Sequence, residues 1–262
     1  MDPLLVAAIA LFGLLVGSFL NVVIARLPLE DDQLRRLDGR SRCPRCSASI
    51  HWYDNIPVIS WVILRGRCRS CRAPISPRYP LVELLCASLW AAVAVHDSQW
   101  QSVVAGIVFM TILIPVTFID LDHRIIPNRI TYPGTLAGLA LGIALGPQPR
   151  FVSHDLWWLE VVISCLAAGA FLLAAALAKP GGMGMGDVKL AALMGAFLGA
   201  PVAAALMIGF ILGLLPSLVL LVSHGLKARK MTIPFGPFLA GGAVIGWFYG
   251  AAVMDWYLHT LQ

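Results

Sequence analysis

The 262-residue chain is 59% hydrophobic and only 13% charged, with a mean hydropathy of +0.81, whereas roughly 25% of residues are charged in soluble domains. That excludes an ordinary soluble enzyme and predicts an all-α polytopic membrane protein, with room for about eight helices of roughly 20 residues and one small polar insertion. The net charge of +5 is no nucleic-acid footprint: eighteen of the nineteen Lys and Arg fall where a single topology puts them on one side of the membrane.

The first apolar run covers Pro3 to Ala25 and closes on Arg26-Leu27-Pro28. It lacks a basic leader region and is too long for a signal-peptide core, so it is expected to remain as a membrane helix. Its second half carries Gly17-Ser18-Phe19-Leu20-Asn21, small and polar enough to meet a neighbouring helix closely. Residues 26–79 form the polar insertion, with eleven Arg, no Lys and five acidic residues, Glu30, Asp31, Asp32, Asp38 and Asp54. So many arginines place the insertion in the cytoplasm and the amino terminus outside.

Apolar runs follow at about 80–95, 103–119, 130–145, 157–178, 187–198, 202–222 and 235–253. The sixth of the eight is short for a crossing. The outer loop 146–156 carries the one outside arginine, Arg150, while Lys179 and the cluster Lys227, Arg229 and Lys230 mark inner loops. Trp247, Trp256 and Tyr257 suit interfacial anchoring, and His96, His224 and His259 read as interface residues. The expected organisation is a first transmembrane helix (1–25), a cytoplasmic zinc-binding insertion (26–79) and a transmembrane domain (80–262), with eight spans and both termini outside.

Within the insertion, Cys43-Pro44-Arg45-Cys46 is followed after twenty-one residues by Cys68-Arg69-Ser70-Cys71. Two such pairs in a reducing compartment can supply four thiolates to tetrahedral zinc, a closed structural site. Disulfides are the competing reading. His51, Trp52 and Tyr53 between the pairs read as packing for a zinc ribbon, and Cys86 and Cys165, inside apolar runs, as small core residues.

Two carboxylates stand at the inner membrane boundary. Asp120 ends the third run, and Asp187 opens the sixth after Gly181-Gly182-Met183-Gly184-Met185-Gly186. A loop this rich in glycine can bring its backbone close to a bound chain. Ionisable groups at membrane depth are costly and mark function by default. Two at one depth suit an aspartyl pair, one taking a proton from water while the other polarises a scissile carbonyl. The structural alternative is that Asp120 pairs with Arg124 or His123 and Asp187 merely caps its helix. Asp122 is the rival to Asp120, but two positions on it points to a different helical face. No strand precedes the glycines and Asp187 stands where a third glycine would fall, so a nucleotide loop is rejected.

These residues resemble the bacterial type IV prepilin peptidases, a GxGD group of membrane aspartyl proteases. The resemblance runs nearly end to end: Gly17 to Val23 with Arg26-Leu27-Pro28; Cys43 to Cys71 with Trp52-Tyr53-Asp54-Asn55-Ile56-Pro57 inside it; Arg78-Tyr79-Pro80-Leu81-Val82-Glu83; Ile119-Asp120-Leu121-Asp122-His123 with Ile126-Pro127-Asn128; Gly182 to Leu190; and Pro234-Phe235-Gly236-Pro237-Phe238. It implies a bifunctional enzyme of the bacterial inner membrane. Such an enzyme cuts the basic leader of prepilins and pseudopilins at the cytoplasmic face, then methylates the new amino terminus with S-adenosylmethionine. Asp120 and Asp187 would be its catalytic pair, and Cys43, Cys46, Cys68 and Cys71 its zinc ligands. No residue is singled out for S-adenosylmethionine, since no dinucleotide fingerprint appears. Asn128 and Met185 depart from residues common in that family. The expected partners are prepilin substrates and membrane lipid, without nucleic acid. A proton-coupled transporter using Asp120 and Asp187 as a relay is the alternative from another class. It would want charges near mid-membrane and matching broken helices in two halves, and the chain shows neither.

Overall fold

The computed structural model describes residues 1–29, 42–145, 156–179, 182–225 and 233–260. Glu30 to Asp38, the loop around Arg150, Gly181 and the cluster Lys227 to Lys230 lie outside the described residues. Regular structure is almost wholly helical: α1 (Pro3–Arg26), α2 (Ile59–Ile63), α3 (Arg78–His96), α4 (Trp100–His123), α5 (Asn128–Leu145), α6 (Trp157–Ala178), α7 (Met185–Leu198), α8 (Val202–His224) and α9 (Gly236–Thr260). The chain is a multi-pass membrane protein. A helix stands at each of the eight apolar runs, and six of them, α1, α3, α4, α6, α8 and α9, are long and apolar enough to cross a membrane by themselves. The other two differ for separate reasons. α5 opens on Asn128 and Arg129 and holds Pro133, while α7 has 14 residues, about 21 Å of helix against a hydrocarbon layer of about 30 Å.

Two compact units divide the chain, Met1–Ser98 and Gln99–Gln262. In the first, α1 and α3 form a close pair. A Cβ at Gly13 would lie 2.9 Å from the Ala87 Cα, and one at Gly17 2.7 Å from the Glu83 Cα, so glycine is what lets the backbones touch. Asn21, buried beside them, donates its side-chain amide to the carbonyls of Gly17 (3.3 Å) and Tyr79 (3.1 Å). Cys86 is fully buried in this interface, as expected of a small core residue.

In the second unit α7 is the innermost element. From Asp187 to Leu198 nearly every side chain is buried, including Leu190, Leu193, Met194 and Phe197. Phe109 of α4 stacks on Phe197 with ring centroids 4.7 Å apart, and Trp247 of α9 closes on the same ring of Phe109 at 5.9 Å. The α6–α7 contact turns on Gly195, where a Cβ would lie 2.8 Å from the Cys165 Cα. The α8–α9 contact turns on Gly242, where a Cβ would lie 2.6 Å from the Gly209 nitrogen. At the far end of α7, Gly199 takes a φ of +65° that favours glycine, and the buried Glu160 accepts the Ala200 amide at 3.1 Å.

Substituting Gly195→Ala or Gly242→Ala places a methyl against backbone that cannot yield, and each should cost about 1–3 kcal/mol. Thermal unfolding in detergent should fall in both variants. Gly241→Ala, whose methyl would meet only the flexible end of Leu212 at 3.3 Å, serves as the silent control.

Candidate active site and metal centre

Asp120 lies one turn before the end of α4. The helix runs on to His123 and is closed by Arg124 in the left-handed region (φ +55°), whose amide donates to the Asp120 carbonyl at 2.9 Å. The Asp120 side chain is 5% exposed, whereas Asp122 lies on the exposed side of the same turn. The Asp120 carboxylate accepts the Gly236 amide at 2.9 Å, 116 residues away in the chain. The first amide of α9 is thus a partner of this carboxylate.

Asp187 was expected to open its helix; instead α7 begins at Met185, with Gly184 at the cap position. Asp187 is therefore its third residue, and its carboxylate folds back to accept the Gly184 amide at 3.2 Å. The capping role and burial coincide, since Asp187 is 8% exposed. Acidic groups are favoured at such helix starts. The two carboxylates lie close enough for the charge of Asp120 to act on Asp187. Asp120 and Asp187, 67 positions apart in the chain, thus lie in the same region of one unit.

Glycine shapes this region. A Cβ at Gly236 would lie 2.7 Å from Asp120 Oδ2, and one at Gly186 would lie 2.8 Å from the Ile126 Cβ. Ile126 also approaches Gly236, at 3.2 Å from the same hypothetical methyl. It is therefore a wedge between the starts of α7 and α9. Lys189, which no sequence argument placed, donates to Asn128 Oδ1 at 2.7 Å and lies 5.1 Å above the Tyr132 ring, tying α7 to α5. Neither Ile126 nor the Gly236 amide carries chemistry by residue type, and so neither was singled out as a site residue.

The four expected cysteines of the insertion come together, with all four sulfurs within 4.8 Å of one another. The Cys43 and Cys71 sulfurs are 3.8 Å apart, and Zn–S bonds of about 2.3 Å in a tetrahedron give an edge of about 3.8 Å. All four are free thiols. The backbone repeats itself around them. Cys43 N donates to Ala48 O (3.0 Å) and Ser47 N to Cys43 O (2.9 Å); Cys68 N donates to Ala73 O (2.8 Å) and Arg72 N to Cys68 O (3.0 Å). Ser47 and Arg72 both take a positive φ, near +58° and +59°. Two such knuckles turn their amides toward sulfur. At Cys43 the Cys46 amide, then that of Arg45, brings the thiol down to about 6. At Cys46 the Ala48 amide also acts downward, but burial and the neighbouring thiols carry it up to about 11. One thiolate forms readily and resists the next, the condition a divalent cation relieves. The cluster can hold a metal ion.

His51 and Tyr53 stack at 5.1 Å, Trp52 meets Tyr53 edge-on at 5.7 Å, and Arg69 joins them by an ion pair to Asp54 (Nε to Oδ2, 2.8 Å). Arg69 holds the Asp54 carboxyl below its usual range. Among the described residues, one apolar groove does not suit S-adenosylmethionine. The groove of about 390 Å³ lined by Phe210, Ile211, Gly213, Leu214, Ser217 and Phe235 offers one hydroxyl, on Ser217, and that hydroxyl already donates to Gly213 O at 2.7 Å. A charged sulfonium carrying an amino acid and an adenosine needs several polar partners.

Residues 11–96 match the family model of the bacterial Peptidase A24 N-terminal domain, and residues 107–222 that of the type IV leader peptidase family. The prepilin leader peptidase/N-methyltransferase of Aeromonas salmonicida (strain A449) is 36% identical over 289 residues, covering 96% of this chain and 93% of that protein. Its counterpart in Aeromonas hydrophila is 38% identical over 282 residues, covering 95% and 92%. A protein of the same name from Myxococcus xanthus (strain DK1622) is 51% identical over 144 residues, 55% of this chain and 42% of its own length. No solved structure matches the chain. Identity of this order along nearly the whole length of several relatives is decisive, and the chain belongs to the type IV leader peptidase family.

Proposed function

We propose that the protein is a membrane aspartyl endopeptidase that removes the basic leader of type IV prepilins or pseudopilins at the cytoplasmic face and N-methylates the new amino terminus. The relatives' shared name supports both activities. The observation that carries the peptidase reading is the burial together of Asp120 and Asp187, each with one carboxylate oxygen held by a backbone amide. With Oδ2 of each so fixed, the remaining oxygens are the ones to share a proton across a water molecule. One carboxylate takes the proton of the attacking water, and the other donates to the scissile carbonyl oxygen as the tetrahedral intermediate forms. The pair titrates as a unit.

The Arg-rich insertion supports a cytoplasmic site and outside termini. A prepilin leader is itself basic and cytoplasmic, followed by an apolar helix, so its cleavage site reaches the membrane boundary where the pair lies. Zinc held by Cys43, Cys46, Cys68 and Cys71 is structural in this reading, because four protein ligands leave no position open. S-adenosylmethionine would supply the methyl group when bound.

Asp120→Asn and Asp187→Asn should each lower prepilin cleavage by about 10²–10⁴-fold or more while leaving membrane insertion intact, read as loss of the shortened product on gels. Gly236→Ala should lower cleavage too, because its methyl would press on Asp120 Oδ2. Retained full activity would show that this amide does not position the carboxylate. Elemental analysis should find one zinc per chain, lost in Cys43→Ser or Cys68→Ser. Cleavage that persists in both Asp variants would remove the peptidase assignment of this pair.

A further inference from the structure

Glu83 is a buried carboxylate that the peptidase reading does not use. Its Oε2 accepts the amide of Val58 at 2.8 Å, joining the polar insertion to α3 within the first unit. Val58 sits in a turn with φ +61° and ψ −51°, closed by the Ile59 amide on the Pro57 carbonyl at 2.6 Å. A γ-turn of this hand is strained, the more so for a β-branched residue, and persists only where its surroundings impose it. The Glu83 tether is what the surroundings supply.

That tether fixes a depth. Glu83 is the sixth residue of α3, five residues beyond Arg78, so it lies about 7.5 Å along the helix axis from that arginine. It is within the apolar run that begins at Pro80. At this level α3 exposes Leu81 and Leu84, surface that a membrane helix turns to lipid. The segment beginning at Val58 is therefore held below the level of Arg78, and α2 starts there.

α2 is two-faced at this depth. Ser60 turns inward and donates to the Tyr53 carbonyl (2.8 Å), and Trp61 donates its indole N–H to Ile75 O (3.1 Å). Ile59, Val62 and Ile63 are 55%, 60% and 70% exposed. Three large aliphatic side chains on one short helix, with Arg65 and Arg67 following, match the pattern of a segment lying in the headgroup boundary, where apolar faces sink about 5–10 Å. We propose that Ile59, Val62 and Ile63 are immersed in the lipid bilayer, so that the ribbon is moored to the membrane surface by α2 and set at that depth by Glu83. The tether, the turn and the adjoining lipid-facing surface of α3 favour lipid over a second copy or a soluble partner.

The test uses the full-length, zinc-loaded protein in nanodiscs of phosphatidylethanolamine and phosphatidylglycerol. A coumarin-bearing amino acid is placed singly at Ile59, at Ile63 and, as an exposed control on the first knuckle, at Ser49. Lipid carrying a doxyl group near the head of its acyl chain should quench the probes at 59 and 63 at least about threefold more than at 49, and aqueous iodide should show the opposite order. Glu83→Ala should shift both sites toward the pattern of Ser49. Iodide quenching at 59 and 63 equal to that at 49 would overturn the proposal. So would shielding from both quenchers that disappears at one chain per disc, which would assign the face to a second copy.

Discussion

The second unit depends on one constraint, the enclosure of α7 by longer helices. Within a bilayer no hydrophobic force pulls helices together, so contact is set by how closely backbones can approach. Gly195 of α7 and Gly242 of α9 make those approaches possible, one against α6 and the other against α8. Enclosure in turn buries Asp187 at the start of α7 and leaves α9 free to bring its first amide to Asp120. A carboxylate in such a place must find a donor, because an unsatisfied charge there would cost more than the helix contacts contribute. The Gly236 and Gly184 amides meet that need without adding a charge of their own.

Much of this was legible in the residues because the signals were of the kind that sequence carries well. Apolar runs gave the helix positions, since hydropathy and backbone satisfaction leave a membrane chain few choices. The cysteine pairs foretold their cluster because the ligand type and spacing are specific. Asp120 and Asp187 were visible as misplaced charges. Harder to see was what each carboxylate leans on. A backbone amide has no residue type, and Gly236 could be noticed only as part of a glycine-proline motif. Helix ends also moved. The permissive glycines near Asp187 allow α7 to start two residues early, and α4 runs four residues past Ile119, because neither boundary is marked by a residue that forbids continuation. Among the described residues six helices are long and apolar enough to span alone where eight runs had been counted, because a count of apolar runs passes over the polar opening of α5 and the shortness of α7.

The insertion follows a different economy. Its four thiols are arranged by a duplicated backbone turn rather than by an apolar core, with Ser47 and Arg72 both accepting a positive φ to aim the amides. Small polar modules cannot bury enough surface to be stable alone, and a bound metal commonly supplies what is missing. The aromatic and ionic contacts around Tyr53 and Arg69 are mostly exposed and add little of their own.

The length of α7 has a further consequence. A helix of 14 residues falls about 9 Å short of the hydrocarbon thickness, and because longer helices enclose it, the shortfall lies inside the protein and is not presented to lipid. Because it begins inside that ring and not at the rim, the carboxylate on its first turn is withdrawn from lipid while the chain's long helices do the crossing.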